Sequence, residues 1–273
     1  MVCSVKDIPV YYEEYGEGKP ILFIHGYSLD HRMMTGCMEP IFITEQNFRR
    51  IYIDLPGMGQ TPCGWVKTSE DMLEILVDFI NAVIGNGNLF VAGQSFGGFL
   101  TLGLIDRISE RIDGTVLLCP LTTYECLNNG TLPEEDILFK SMELDLENPD
   151  EKEYAEYAVI VTPEGFERYK NEIQSGIKAA DSAFLFNGGF SGSVPRLDNL
   201  YKTLKFDKPA CIITGRQDNA AGYSYANQLL DGFPRATFAV LDCAGHNLQI
   251  ESAAASAVFE QLIRDWIWRV SIQ

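Results

Sequence analysis

Short apolar runs alternate with longer segments of helical spacing along most of the chain. The runs are continuous rather than alternating, which is typical of parallel strands that are covered on both faces. The predicted strands are residues 21–24, 50–53, 88–92, 115–118, 210–213 and 237–241. Segments 68–84 and 250–270 are predicted helices, and Thr68 with Asp71 predicts an N-terminal cap for the first of them. The alternation predicts an α/β fold with a doubly wound, mostly parallel sheet.

The segment 122–205 interrupts this alternation. It has few strand-like runs, and its apolar and aromatic residues have helical spacing. It also holds sixteen acidic and eight basic residues, which is nearly half of the excess negative charge of the chain. We therefore predict a core domain of residues 1–121 and 206–273 with a helical insertion of residues 122–205. The charge of the insertion indicates a solvated outer face.

Composition and charge exclude several classes of protein. The chain of 273 residues is 46% hydrophobic and 22% charged, as in an ordinary globular protein. Its formal net charge of −17 repels phosphate backbones and anionic lipids, so we expect no nucleic-acid partner and no membrane partner. No apolar run approaches the roughly 20 residues of a membrane helix, and the N-terminus shows no secretory signal. The seven cysteines form no C-x-x-C pair, which indicates a reduced, cytoplasmic protein.

The sharpest local motif is Gly93-Gln94-Ser95-Phe96-Gly97-Gly98. It joins the predicted strand 88–92 directly to an apolar helical segment. Such a tight strand-to-helix turn strains its central residue, so the residues two before and two after it must be small. The turn would raise the Ser95 hydroxyl above the edge of the sheet, where it could act as a nucleophile. The first amides of the following helix would point to the group that it attacks.

A serine hydroxyl needs a base, and the base needs an acid that fixes its tautomer. His246 follows the predicted strand 237–241, and Asp218 follows the predicted strand 210–213. The carboxyl ends of parallel strands meet at one edge of a sheet, so we expect both side chains to reach Ser95. The predicted catalytic residues are therefore Ser95, Asp218 and His246, in the chain order that α/β hydrolases use.

Other residues compete for these roles. Asp242 and Glu125 are the alternative acids. We expect His25 to order the adjacent loop through hydrogen bonds, and His31 to be a solvated residue at the start of a helix. We expect Asp54 to stabilise a turn. The histidines are far apart, so we predict no metal site, and the proposed chemistry needs no cofactor.

Five motifs together resemble the α/β-hydrolase superfamily, in its cap-bearing serine hydrolase branch. They occur in the family's order over residues 8–120 and 206–270: His25-Gly26, residues 54–59, the Ser95 turn, residues 215–218 and Gly245-His246. The insertion lies where the family inserts its cap, and residues 122–205 are called the cap hereafter. The family often has a proline shortly after the triad acid, whereas Asp218 is followed by Asn-Ala-Ala-Gly.

The resemblance implies an oxyanion hole formed by the backbone N–H groups of Tyr27 and Phe96. From their positions, we expect Gly26, Tyr27, Gln94 and Phe96 to line the pocket together with residues of the cap, although Phe96 is nearly as well suited to core packing. A serine at the turn argues against the dehalogenases and epoxide hydrolases of the family, which use aspartate there.

The predicted function is a serine hydrolase that cleaves a small acyl substrate, preferably a carboxylic ester, through an acyl-enzyme. The same triad supports carbon–carbon bond hydrolysis, aminopeptidase activity, lactone opening or perhydrolysis. An acyltransferase, or a ligand receptor without turnover, is also compatible with the fold. The sequence leaves open a monomer or a homodimer.

Overall fold

A computed structural model describes residues 1–45, 47–130, 132–134 and 137–272. Residues 46, 131, 135, 136 and 273, which fall within the predicted domain bounds, lie outside this description. The strands are β1 (Val2–Val5), β2 (Ile8–Tyr15), β3 (Lys19–Ile24), β4 (Phe48–Ile53), β5 (Leu89–Gln94), β6 (Ile112–Leu118), β7 (Phe139–Lys140), β8 (Ile160–Val161), β9 (Ala210–Gly215) and β10 (Ala236–Leu241).

The helices alternate with the strands of the core and dominate the cap. They are α1 (His31–Phe42), α2 (Ser69–Val83), α3 (Phe96–Ile108), α4 (Pro149–Ala155), α5 (Pro163–Arg168), α6 (Ser175–Ala179), α7 (Ser182–Phe186), α8 (Leu200–Thr203), α9 (Ser224–Asn227), α10 (Leu248–Glu251) and α11 (Ala253–Ser271). A π-helical segment, Tyr169–Gln174, joins α5 to α6. Short 3₁₀ turns occupy Ser109–Arg111, Tyr124–Leu127, Leu197–Asn199 and Gln228–Asp231.

Within the described residues, eight strands form one sheet in the order β1-β2-β4-β3-β5-β6-β9-β10. β2 pairs antiparallel with β1 and β4, and the pairs from β4 to β10 are parallel. The predicted fold class, a doubly wound and mostly parallel sheet, is confirmed. β6 and β9 are neighbours in the sheet, so the cap leaves the core after one strand and returns before the next.

The sheet has a hydrophobic core on each face. Successive side chains of a strand point to opposite faces, so Leu22 and Ile24 pack in one core while Ile21 and Phe23 pack in the other. The first core also contains the buried residues of α2 and α3, and the second contains those of α1 and α11. This double coverage explains why the central strands are apolar at nearly every position.

The capping box of α2 is confirmed, because Thr68 accepts from the Asp71 amide while the Asp71 side chain accepts from the Thr68 amide. Two differences concern the ends of the chain. The segment 250–270 is not a single helix, since the Ser252 side chain caps a new helix, α11, after α10. The strands β1 and β2 were not among the predicted runs, because β2 alternates buried and exposed residues in place of a continuous apolar run.

Candidate active site

Ser95 occupies the predicted turn between β5 and α3. Its backbone φ of 52° and ψ of −116° lie in a region that non-glycine residues seldom adopt. The turn is crowded: a Cβ atom on Gly97 would lie 2.2 Å from the Ile24 carbonyl oxygen, and one on Gly93 would lie 2.3 Å from the Gly97 oxygen. The glycines are therefore required by close backbone contact, and they hold Ser95 in its strained conformation.

Asp218 and His246 form a buried pair at the same edge of the sheet. The His246 Nδ1 atom lies 2.9 Å from Asp218 Oδ1, which also accepts from the amides of Ala220 and Ala221 at 3.0 and 2.9 Å. Burial by itself raises the pKa of the Asp218 carboxyl, but the His246 ring and these amides hold that pKa below its usual value. The carboxylate is thus suited to fix the imidazole with its Nδ1 proton facing the acid.

The serine and the histidine line the same cavity but are not hydrogen-bonded to each other. Among the described residues, no hydrogen bond joins the Ser95 hydroxyl to His246; the ring's Nε2 atom instead faces the amide nitrogen of Gln94 at 3.3 Å. The side-chain oxygen of Gln94, Oε1, is buried and has no hydrogen-bond partner. For His246 to act as a base through Nε2, the side-chain amide of Gln94 would have to move away from that lone pair.

The loop after β3 carries the other predicted elements of the site. The Leu55 amide donates to His25 Nε2 at 3.0 Å, which leaves the Nδ1 proton of His25 to donate to the Gly26 carbonyl at 2.8 Å. Burial lowers the pKa of His25, consistent with a neutral ring that orders this loop. Tyr27 is the next residue, and Phe96 is the first residue of α3, whose amide has no partner within the helix.

A cavity of about 250 Å³ lies over Ser95 and His246. Gly26, Tyr27 and Gln94 line it as expected, whereas the Phe96 side chain is buried in the core. Among the described residues of the cap, four more side chains line the cavity, namely Tyr157, Ile173, Ile177 and Phe186. Sequence reasoning did not single out these four, because apolar residues at helical spacing serve the packing of the cap equally well.

Three of the interpretations of the remaining residues can be compared with the structure. Asp242 and Glu125, the alternative acids, are exposed, and Asp242 accepts from the Gln217 side chain. The prediction of a solvated His31 is wrong: His31 begins α1 but is only 7% exposed. Its backbone N–H and its Nδ1 both lie 2.8 Å from Asp54 Oδ1, so burial is compensated by hydrogen bonds.

Within the described residues, two clusters offer three possible metal ligands each. One contains Cys119, Asp218 and His246, and the other contains Asp30, His31 and Asp54. In both clusters a histidine already contacts a carboxylate through Nδ1, at 2.9 and 2.8 Å. Hydrogen bonding accounts for these contacts, and we assign no metal to either cluster.

Comparison with known proteins identifies the class. The sequence model of the Alpha/beta hydrolase family matches residues 21–260, and the chain therefore belongs to this family. The AB hydrolase superfamily protein YisY of Bacillus subtilis (strain 168) is 26% identical over 255 residues, which cover 90% of this chain and 91% of that protein. The resemblance to the α/β-hydrolase superfamily is thereby confirmed.

Two further relatives extend the comparison. The 2-hydroxy-6-oxo-6-(2'-aminophenyl)hexa-2,4-dienoic acid hydrolase of Metapseudomonas resinovorans is 31% identical over 108 residues, or 39% of this chain and 37% of that protein. The crystal structure of an alpha/beta superfamily hydrolase from Oenococcus oeni PSU-1 has a TM-score of 0.83 at 27% identity and covers 96% of each chain. In the part of the chain that the structure describes, none of the helices is long and apolar enough to cross a membrane.

Proposed function

We propose that this protein is a serine hydrolase that cleaves a small carboxylic ester, with Ser95 as nucleophile, His246 as base and Asp218 as acid. The observation that carries the proposal is the buried Asp218–His246 pair, whose histidine lines the same cavity as Ser95 on its strained turn. A strained backbone is costly and persists chiefly where function uses it. The seven cysteines are free, and we place the protein in the cytoplasm as part of this proposal.

The first half of the reaction forms an acyl-enzyme. The Gln94 amide moves off His246 Nε2, and Ser95 Oγ attacks the ester carbonyl while Nε2 takes its proton. The carbonyl electrons pass to oxygen, and the amides of Tyr27 and Phe96 stabilise the oxyanion. The oxyanion then collapses, the C–O bond to the alcohol breaks, and the alcohol leaves with the proton from His246.

The second half repeats these steps with water. His246 takes a proton from water as the water oxygen attacks the acyl carbon, and Ser95 leaves with that proton to release the carboxylic acid. Asp218 stays ionised throughout, in agreement with its lowered pKa. The cap side chains over the cavity exclude bulk water and limit the length of the acyl group.

The lining of the cavity favours an uncharged substrate. Beside Ser95 and His246 it offers apolar and aromatic side chains and the uncharged polar residues Ser28, Gln94 and Asn247. Among the described lining residues there is no lysine, arginine, aspartate or glutamate. The carbon–carbon bond hydrolase among the relatives is named for an acid, and such a substrate would bring a carboxylate into this neutral cavity. An aminopeptidase substrate would bring an ammonium group. Both reactions are therefore secondary to ester hydrolysis.

The nucleophile can be tested with an activity-based fluorophosphonate. We expect mass spectrometry to find the label on Ser95, and we expect Ser95→Ala to lose both labelling and hydrolysis of p-nitrophenyl esters. Ser109→Ala is the matched control, because Ser109 is an exposed serine on the 3₁₀ turn after α3. Retained hydrolysis in Ser95→Ala would contradict the proposal.

The same ester-hydrolysis assay distinguishes a hydrolase from a ligand receptor and from an acyltransferase. Because the cavity holds about 250 Å³, we expect acetate and butyrate esters to be cleaved faster than octanoate and palmitate esters. A single stoichiometric release without turnover would favour a ligand receptor. Transfer of the acyl group to an added alcohol in preference to water would favour an acyltransferase.

A further inference from the structure

Glu251 is a buried acid close to the proposed site that the mechanism does not use. It ends α10, five residues after His246, and is 3% exposed. No Lys, Arg or His of the described residues lies within 4.0 Å to form an ion pair with it. A buried carboxylate needs strong hydrogen-bond donors to remain stable. The groups that donate to Glu251 therefore show which segments of the chain its side chain connects.

The carboxylate connects two separate parts of the chain. Its Oε1 atom accepts from the amides of Val159 and Ile160 in the cap, the latter at 2.5 Å. Its Oε2 atom accepts from the amide of Gly245 at 3.1 Å. Gly245 directly precedes His246 in the loop 242–247, called the histidine loop. One side chain therefore binds the cap with one oxygen and the histidine loop with the other.

Packing at the same place leaves little freedom for the loop. A Cβ atom on Gly245 would lie 3.0 Å from the Tyr157 carbonyl oxygen and 3.1 Å from Val159 Cγ2. The cap thus rests directly on the backbone next to His246. Arg168 of α5 provides a second link, because its Nη1 donates to the Gln249 carbonyl at 2.7 Å.

The charge of Glu251 depends on these donors. Burial raises the pKa of Glu251 to about 7, while the amides of Ile160, Gly245 and Val159 oppose that rise. Two of the three amides belong to the cap. Separation of the cap would therefore remove two of the three backbone donors that fix the orientation of this carboxylate.

We propose that Glu251 is a positioning residue that couples the seating of the cap to the placement of the His246 ring. With the cap seated, the carboxylate fixes the Gly245 amide and hence the start of the histidine loop. With the cap displaced, the loop loses this restraint, and the His246 ring keeps its side-chain contacts to Asp218 and Gln94. The inference rests on the proposed function for its catalytic consequence, but the mechanical link can be measured without any substrate.

The test compares Glu251→Gln with wild type in hydrogen exchange and in ester hydrolysis. A glutamine has one acceptor oxygen, and its NH₂ group would oppose an N–H donor at one of the two attachments. We expect faster exchange in peptides covering residues 157–162 and 244–248. We also expect kcat to fall by about 10- to 100-fold with a smaller change in KM, since sub-ångström misplacement of a base is costly.

Two further variants make the result specific. Glu147→Gln removes an exposed carboxylate of the cap and should leave kcat and exchange in both segments as in wild type. Glu251→Asp keeps the charge but is too short to reach both partners at once, so it should give intermediate values. It also serves if Glu251→Gln fails to fold.

The outcomes are distinct. Wild-type kcat and exchange in Glu251→Gln and Glu251→Asp would overturn the inference. So would a lower melting temperature with unchanged exchange at 244–248 and unchanged kcat, which would make Glu251 a structural residue only. If wild-type protein neither hydrolyses esters nor takes the fluorophosphonate label, the proposed function fails, and the exchange experiment still decides the coupling.

Discussion

Asp218 shows how far individual residues of the site could be predicted. Its place after a strand, in chain order between Ser95 and His246, is visible in the sequence because these motifs are local. The contact between Gln94 and His246 Nε2 was not predictable in the same way. It depends on how a side chain from one strand packs against a loop 152 residues away, and no local pattern reports that.

Asp218→Asn should reduce kcat by about 10³–10⁴-fold, because an amide can stabilise the wrong tautomer of the histidine. The fold should persist, since asparagine has the same shape and keeps an oxygen that can accept from Ala220 and Ala221. Steady-state kinetics and the melting temperature measure the two effects. Asp242→Asn is the control, and near wild-type activity in Asp218→Asn with a large loss in Asp242→Asn would place the acid at 242.

Whole elements were predicted where periodicity was strong. The central strands and α2 follow from continuous apolar runs, helical spacing and a capping box, all of which are sequence-local. The strands β1 and β2 and the division at Ser252 were not predicted, because partial burial weakens the pattern and a single cap residue does not reveal a break. The prediction that His31 begins a helix is confirmed. The prediction that its side chain is solvated is wrong, because the side chain is buried.

The His31 contacts predict a pH-dependent contribution to stability. Burial alone would lower the pKa of His31, but Asp54, Asp30 and Glu13 raise it above the usual value of 6.5. A raised folded-state pKa stabilises the fold fully below the unfolded-state pKa, and this contribution is lost as pH rises through the folded-state value. The carboxylates of Asp54, Asp30 and Glu13, the Tyr11 ring and the adjacent Arg32 are the groups that surround it.

The check is a comparison of wild type with His31→Gln by urea unfolding at about pH 5.5 and about pH 8.5. The difference in the free energy of unfolding between wild type and His31→Gln should be larger at the lower pH. An equal difference at both values, or a larger one at the higher pH, would mean that protonated His31 does not stabilise the fold.

On the scale of the whole molecule, hydrogen bonds join the cap to the loops that follow β3, β9 and β10. Tyr27 donates its hydroxyl to the Leu185 carbonyl at 2.6 Å, and Asn219, beside Asp218, donates to the Glu156 carbonyl at 3.1 Å. Glu251 provides the third connection, to the histidine loop. These contacts were not predictable from the sequence, because they join residues distant in the chain and arise only from tertiary packing.

The net charge of −17 predicts a stability that depends on ionic strength. Like charges on a folded surface repel, and salt shortens the range of that repulsion from about 30 Å at 0.01 M to about 8 Å at 0.15 M. The melting temperature should therefore rise between these two sodium chloride concentrations. Glu147→Lys should raise it at low salt and have less effect at high salt. A fall in the wild-type melting temperature would show that the surface ion pairs outweigh the repulsion.

The point where the cap joins the core, between β6 and β9, bears on how this protein could acquire a different substrate preference. These strands are hydrogen-bonded neighbours, and the polypeptide that roofs the cavity departs and re-enters between them. A roof of different length or composition could be spliced in here without altering the register of the sheet or the order of the three proposed catalytic side chains. Substrate preference could thus diversify when one cap is replaced by another, provided that the new cap also supplies two backbone amides to Glu251.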